Sequence, residues 1–134
     1  MSKYFIACKL PTVQSVSCFR GEAETKVLAI MTKSVESLFK TAQALERLHD
    51  WSGAEDAYRQ AAEANPNLLE AHHNRATVLR RLDRAGEALV EAVRAAQLAP
   101  DHPTVRFSLG LSQEKSGDIG AAINSYRETL SLNP

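Results

Sequence analysis

Between residues 36 and 48 the apolar side chains fall at Leu38, Phe39, Ala42, Leu45 and Leu48. Intervals of three and four residues put them on one face of a helix. Asp50, Ser52 and Gly53 interrupt that face, Ala54–Ala64 resumes a helical pattern, and Asn65-Pro66 stops it. The phrase then recurs. The pattern predicts helices over about 70–82 and from the break at Asp83 to Gly86 onward to about 98. It predicts two more over about 104–115 and, after Ser116-Gly117-Asp118, to about 132.

The recurrence has a fixed period. Pro66, Pro100 and Pro134 stand 34 residues apart, and each closes a similar phrase. A shift of 34 superposes Ala42, Ala76 and Gly110, then Ala54, Ala88 and Ala122. It also superposes Ala61, Ala95 and Thr129, and Tyr58, Ala92 and Tyr126; Leu45 falls on Leu79 and then on Gln113. Small residues in register let the two helices of a unit approach closely, and larger ones would pry them apart. Each proline sets the turn into the next unit because it cannot continue a helix.

A 34-residue helix–turn–helix unit with this small, aromatic and proline pattern resembles the tetratricopeptide repeat. The resemblance covers residues 35–134 as three units, 35–68, 69–102 and 103–134. It implies an all-α fold, a right-handed α-solenoid, preceded by a helical or irregular extension over 1–34. Within that extension Val27, Ile30 and Met31 keep helical spacing, so a capping helix is expected over about 22–33. Two columns depart from the family. The bulky aromatic of the first helix is Leu38, then His72, then Arg106, and the usual leucine is Thr41, then Arg75, then Leu109. A softer core is therefore expected on the first helix of unit two.

Composition narrows the class without naming a function. A hydrophobic share of 44% with 24% charged residues is that of a globular chain. No apolar run reaches the ~20 residues of a membrane helix. Sixteen basic residues balance sixteen acidic ones, but unevenly: residues 1–34 carry five basic and two acidic, and 35–134 carry eleven and fourteen. Cys8 and Cys18 lack zinc or redox spacing and read as free thiols, with a short-loop disulfide as the alternative. Lys9 and Pro11 break the apolar stretch that a secretion signal needs, so the expected location is cytoplasmic, with the periplasm second.

Catalytic and metal motifs are not found. The six glycines make no phosphate loop, and neither His72 nor His73 has a ligand at i+4. Those two histidines are expected to be one partly packed and one surface imidazole. The chain is read as no enzyme, with no cofactor and no metal. Arg75, Arg80, Arg81 and Arg84 form the densest basic cluster, but without an aromatic stacking platform or net positive charge nucleic acid is not expected.

The family resemblance implies that first helices line a concave groove for an extended peptide or a partner helix. Carried onto this chain, that face is Lys40, Gln43 and Arg47, then His73, Asn74, Thr77, Arg80 and Arg81, then Phe107, Ser108, Leu111 and Lys115. Spacing supports part of it independently, since Asn74, Thr77 and Arg81 share a stripe opposite Ala76 and Leu79. The mixture suits a peptide with acidic groups and an apolar anchor. The alternative is an ordinary solvated face. The chaperone-tail clamp known in the family would need its cations and amides at Phe39, Gln43, Asn74, Thr104 and Ser108, and only Asn74 matches. The expected function is a non-catalytic interaction scaffold. Two alternatives stand beside it: the recruitment arm of a longer enzyme such as a transferase, and self-association through Ile123, Tyr126 and Leu130 on the last helix.

Overall fold

The computed structural model describes residues 35–134, which form one compact unit. The cysteines and the capping helix expected over 22–33 lie outside the described residues. Among the described residues there are six helices and no strands. They are α1 over 35–47, α2 Trp51–Ala64, α3 Leu69–Arg81, α4 Ala85–Leu98, α5 Pro103–Lys115 and α6 Ile119–Leu132. Each consecutive pair is one 34-residue unit, and the pairs stack as an α-solenoid. None of these helices is long and apolar enough to cross a membrane.

The turns inside the units share one device. His49 (φ 61°), Asp83 (φ 59°) and Gly117 (φ 95°) all lie in the left-handed region, and they are 34 residues apart. A left-handed residue just past a helix reverses the chain sharply and satisfies its last carbonyls. His49 N–H accordingly donates to Glu46 O, and the amide of Asp50 to Leu45 O. The turn of unit one is therefore made at Leu48-His49, and α2 begins at Trp51 rather than Ala54. Ser52 and Gly53, expected to break the chain, sit in the first turn of α2. The reason is the cap: the Asp50 carboxylate accepts from Gly53 N–H at 3.0 Å. Asp118 does the same for Ala121 N–H at 3.1 Å. In unit two the equivalent residue is Arg84, which makes no such cap. Helix α4 still starts at Ala85, and Gly86 lies within it.

The core is built mostly of small residues, as the register implied. Ala42, Ala54, Ala76 and Ala88 are fully buried and Ala122 nearly so. Tyr58, Val78 and Leu79 are the largest hydrophobic side chains sealed from solvent. Tyr58 packs with Ala42, Ala54, Ala57 and Val78, and Phe39 meets its ring edge-on at 5.5 Å. Ala76, Ala92, Ala95 and Ala96 pack with Val105 and Leu109 of the next unit. In unit three Gly110 accommodates the Tyr126 ring. A Cβ there would lie 2.5 Å from Tyr126 Cε1.

The softer core expected on α3 is not what forms. His72 and Arg75 enter a charged cluster between α2, α3 and α4. Arg75 Nε donates to Glu55 at 2.9 Å and its Nη1 to Glu91 at 2.8 Å, while His72 Nδ1 lies 2.7 Å from Glu91. Glu55 and His72 are buried. Polar side chains at apolar positions of the repeat are thus paired with one another.

Candidate functional site

The faces of α3 and α5 enclose a cleft of about 820 Å³. Its walls are Thr77, Arg80, Arg81 and Asp83 from the end of α3 and its turn, and Leu111, Glu114 and Lys115 from the end of α5. Trp51, at the start of α2, completes it. Five of these, Thr77, Arg80, Arg81, Leu111 and Lys115, belong to the stripe expected from sequence. Trp51, Asp83 and Glu114 do not. Trp51 escaped because it lies on a second helix, outside the first-helix rule. Its column holds Ala85 and Ile119, so no periodic signal marked it.

The cleft's cations differ sharply in availability. Arg80 Nη1 donates to Ser108 Oγ at 3.1 Å and Ser112 Oγ at 3.0 Å, and Nη2 to Thr77 Oγ1 at 3.2 Å. Burial lowers the Arg80 pKa from its usual range, with the charge of Arg81 acting the same way and Tyr126 opposing it. Arg80 therefore ties α3 to α5. Ser108, its partner, is buried, so neither offers an open donor. Lys115 Nζ lies 3.1 Å from Asp83, an ion pair whose carboxylate is 82% exposed. Arg81 is exposed and lies over the Trp51 ring, 4.8 Å from its centre. Among the described residues no carboxylate pairs with it.

A second hollow of about 130 Å³ lies at the other end of α3 and α5. It is lined by Leu69, Glu70, His73, Asn74, His102, Thr104 and Val105. His73 is half-buried rather than on the surface, and its Nδ1 is sealed without a hydrogen-bond partner. Burial lowers its pKa, followed by the nearby charges of Arg80 and His102, while Glu70 opposes them. Both adjacent histidines are thus packed, which corrects the expectation of one surface imidazole. Burial and then Glu46 raise the pKa of the Tyr58 hydroxyl in unit one, and Asn74 opposes them.

The other expected residues are dispersed. Lys40, Gln43 and Arg47 are exposed on α1, with Lys40 3.9 Å from Glu36. They line neither hollow. Phe107 also lines neither; its ring lies 5.5 Å from that of Tyr126 on α6. On α6, Ile123 and Leu130 are exposed and Tyr126 is half-buried, its hydroxyl donating to Glu114 at 2.7 Å. The arginine cluster read from sequence is also divided. Arg75 is held by Glu55 and Glu91, Arg80 by serines, and Arg84 by Glu87, so among the described residues Arg81 is the member of this cluster with no carboxylate or hydroxyl partner. Among the described residues no three His, Cys, Asp or Glu gather where they could hold a metal ion.

Comparison with known proteins agrees with this architecture. Tetratricopeptide-repeat family profiles match residues 35–68 and 103–134, the first and third units. The middle unit shares their period, helix pair and left-handed turn. Residues 35–134 are a tetratricopeptide-repeat domain. A curated relative, a DnaJ homolog subfamily C member 7 homolog from Dictyostelium discoideum, is 24% identical over 116 residues. That match covers 84% of this chain, which spans about a fifth (22%) of the relative's length. The first tetratricopeptide domain of Spaghetti (RPAP3), bound to the HSP90 peptide SRMEEVD, superposes with a TM-score of 0.72 at 20% identity. The match covers 76% of this chain and 81% of that one. The O-GlcNAc transferase of Thermobaculum terrenum matches with a TM-score of 0.70 at 24% identity, over 78% of this chain and 20% of that one. These structural likenesses show the fold of the repeat domain.

Proposed function

We propose that this chain is a non-catalytic interaction module whose repeats take a partner peptide or helix along the faces of α3 and α5. The observation that carries this reading is the cleft containing Arg81, an exposed guanidinium stacked on Trp51 that no carboxylate among the described residues pairs with. Such a cation is pre-oriented and, among the described residues, lacks an internal competitor for an acidic group. Leu111 and the Trp51 ring beside it supply apolar contact for the partner's anchor. The acidic HSP90 peptide held by the Spaghetti domain supports a partner of this general kind.

The detailed mode differs from a chaperone-tail clamp. Phe39 packs against Tyr58 in the core, and Ser108 is buried beneath Arg80. The reading therefore assigns the partner's acidic group to Arg81 and Lys115. An affinity pull-down from native lysate tests it, comparing the parent with an Arg81→Glu, Lys115→Glu variant of matched helicity. A partner retained by the parent and lost by the variant supports the cleft. Identical recoveries would remove it.

A second reading rests on α6. Ile123 and Leu130 stand in the columns of Leu89 and Ala96, which pack in the core of unit two, yet they are 43% and 65% exposed. We infer that this face docks a further helix or a second copy. Light scattering across a concentration series checks the second-copy form, which predicts a mass that rises with concentration and falls back in an Ile123→Glu variant.

A further inference from the structure

The joint between units one and two is closed by charged groups largely withdrawn from water. His72 on α3 is 7% exposed, with Nδ1 2.7 Å from Glu91 Oε2 and Nε2 2.8 Å from the Pro66 carbonyl oxygen. A carbonyl only accepts, so Nε2 carries a hydrogen. The other Glu91 oxygen accepts from Arg75 at 2.8 Å, which favours the ionised carboxylate, also an acceptor only. Both ring nitrogens therefore donate, and an imidazole that donates twice is an imidazolium. His72 and Arg75 then balance Glu55 and Glu91.

The repeat contains its own comparison. A shift of 34 carries His72 to Arg106 and Pro66 to Pro100. Arg106 Nε donates to the Pro100 carbonyl at 2.8 Å, and its Nη1 lies 3.2 Å from Glu128 on α6. In both units a cation at the same position bridges the preceding proline turn to a carboxylate on the unit's second helix. Arginine keeps its proton throughout the usable range, whereas histidine releases its own near neutrality.

We propose that His72 is a proton-operated pin that fastens the Pro66 turn to α4 when protonated and releases it when neutral. A neutral ring has one N–H, so either the Pro66 carbonyl or the Glu91 carboxylate would face a lone pair. The charged groups around the ring are Glu91 on α4, Arg75 on α3 and Glu55 on α2, with Arg84 3.8 Å from Glu55. Only the protonated ring can donate to both acceptors, so losing that proton as pH rises loosens the fastening. Release would shift α3, which carries Thr77 and Arg81. That consequence for partner binding rests on the cleft reading, whereas the pin itself does not.

The test uses the full chain and its His72→Arg variant, which copies the arrangement of unit three. Thermal midpoints are compared between about pH 6 and about pH 8.5. The parent's midpoint should fall by about 4 °C more than the variant's across this interval. His49, His73 and His102 are common to both proteins and cancel in the comparison. Equal pH slopes would overturn the proposal. So would an imidazole nitrogen spectrum showing His72 as a neutral tautomer at about pH 6, a measurement that holds even where the variant does not fold.

Discussion

Gly110 shows how far one hydrogen atom can matter in a core of small residues. Its absent Cβ is the space occupied by the Tyr126 ring, and a methyl there would lie 2.5 and 2.7 Å from two ring carbons. In unit one Ala42 coexists with Tyr58 in the same columns, so the two pairs are packed differently. Gly110→Ala should therefore displace Tyr126 from α5 and disturb its hydrogen bond to Glu114. Overpacking of this kind costs about 1–3 kcal/mol, less whatever the alanine gains in helix propensity. Urea denaturation of the variant measures the difference, and unchanged stability would mean the ring moves freely. At the same scale, position alone did not distinguish available cations from committed ones. Arg80 and Arg81 are neighbours in sequence, yet one is tied to two serines and the other lies open over an indole.

The turns set the angle between the helices of each unit, and their strain differs from one unit to the next. His49 and Asp83 occupy a left-handed conformation that glycine takes readily, and Gly117 supplies that residue only in unit three. Asp83→Gly would also remove the Lys115 ion pair, so His49 is the cleaner site despite its ring contact with Trp51. His49→Gly should stabilise the domain by up to about 1 kcal/mol, and Gly117→Ala should destabilise it by about the same amount. Opposite shifts in urea midpoint confirm the assignment; shifts of one sign would contradict it. The 34-residue register made the helices legible almost to the residue. The start of α2 was missed because the same residue types serve as breakers and as caps, and only the Asp50 hydrogen bond separates the roles.

Across the whole molecule, pH reaches the fold at the phenols that seal the first and third units. Burial, then a hydrogen bond to Glu114, pushes Tyr126 up to about 12. Burial and Glu46 raise Tyr58 well above the ordinary phenol range. Unfolded tyrosine titrates near ~10, so the folded state holds protons that the unfolded chain has already released above that pH. Their contribution is complete below pH ~10 and is lost as pH climbs through the folded values. The urea midpoint, followed by helicity, should fall steadily from pH ~10 to ~12, and less steeply for Tyr126→Phe. A flat profile would show that these hydroxyls are freely solvated. This response is separate from the His72 pin, which acts around neutrality.

What the sequence determined by itself was the repeating unit: its period, its helix pair, the small residues that seat the pair and the proline that ends it. Those features are local or strictly periodic, and a hydrophobic pattern records them directly. Tertiary structure decided which polar residues remain available for a partner. Glu55, Arg75 and Glu91 are scattered over three helices and look like ordinary surface charges until packing brings them together. Trp51 and Arg81 are thirty residues apart, outside any common helical stripe, and become one face of the cleft only when α2 meets α3. Pairing among side chains depends on distances that periodicity does not encode, and in this protein those pairings separate the open cation from the committed ones.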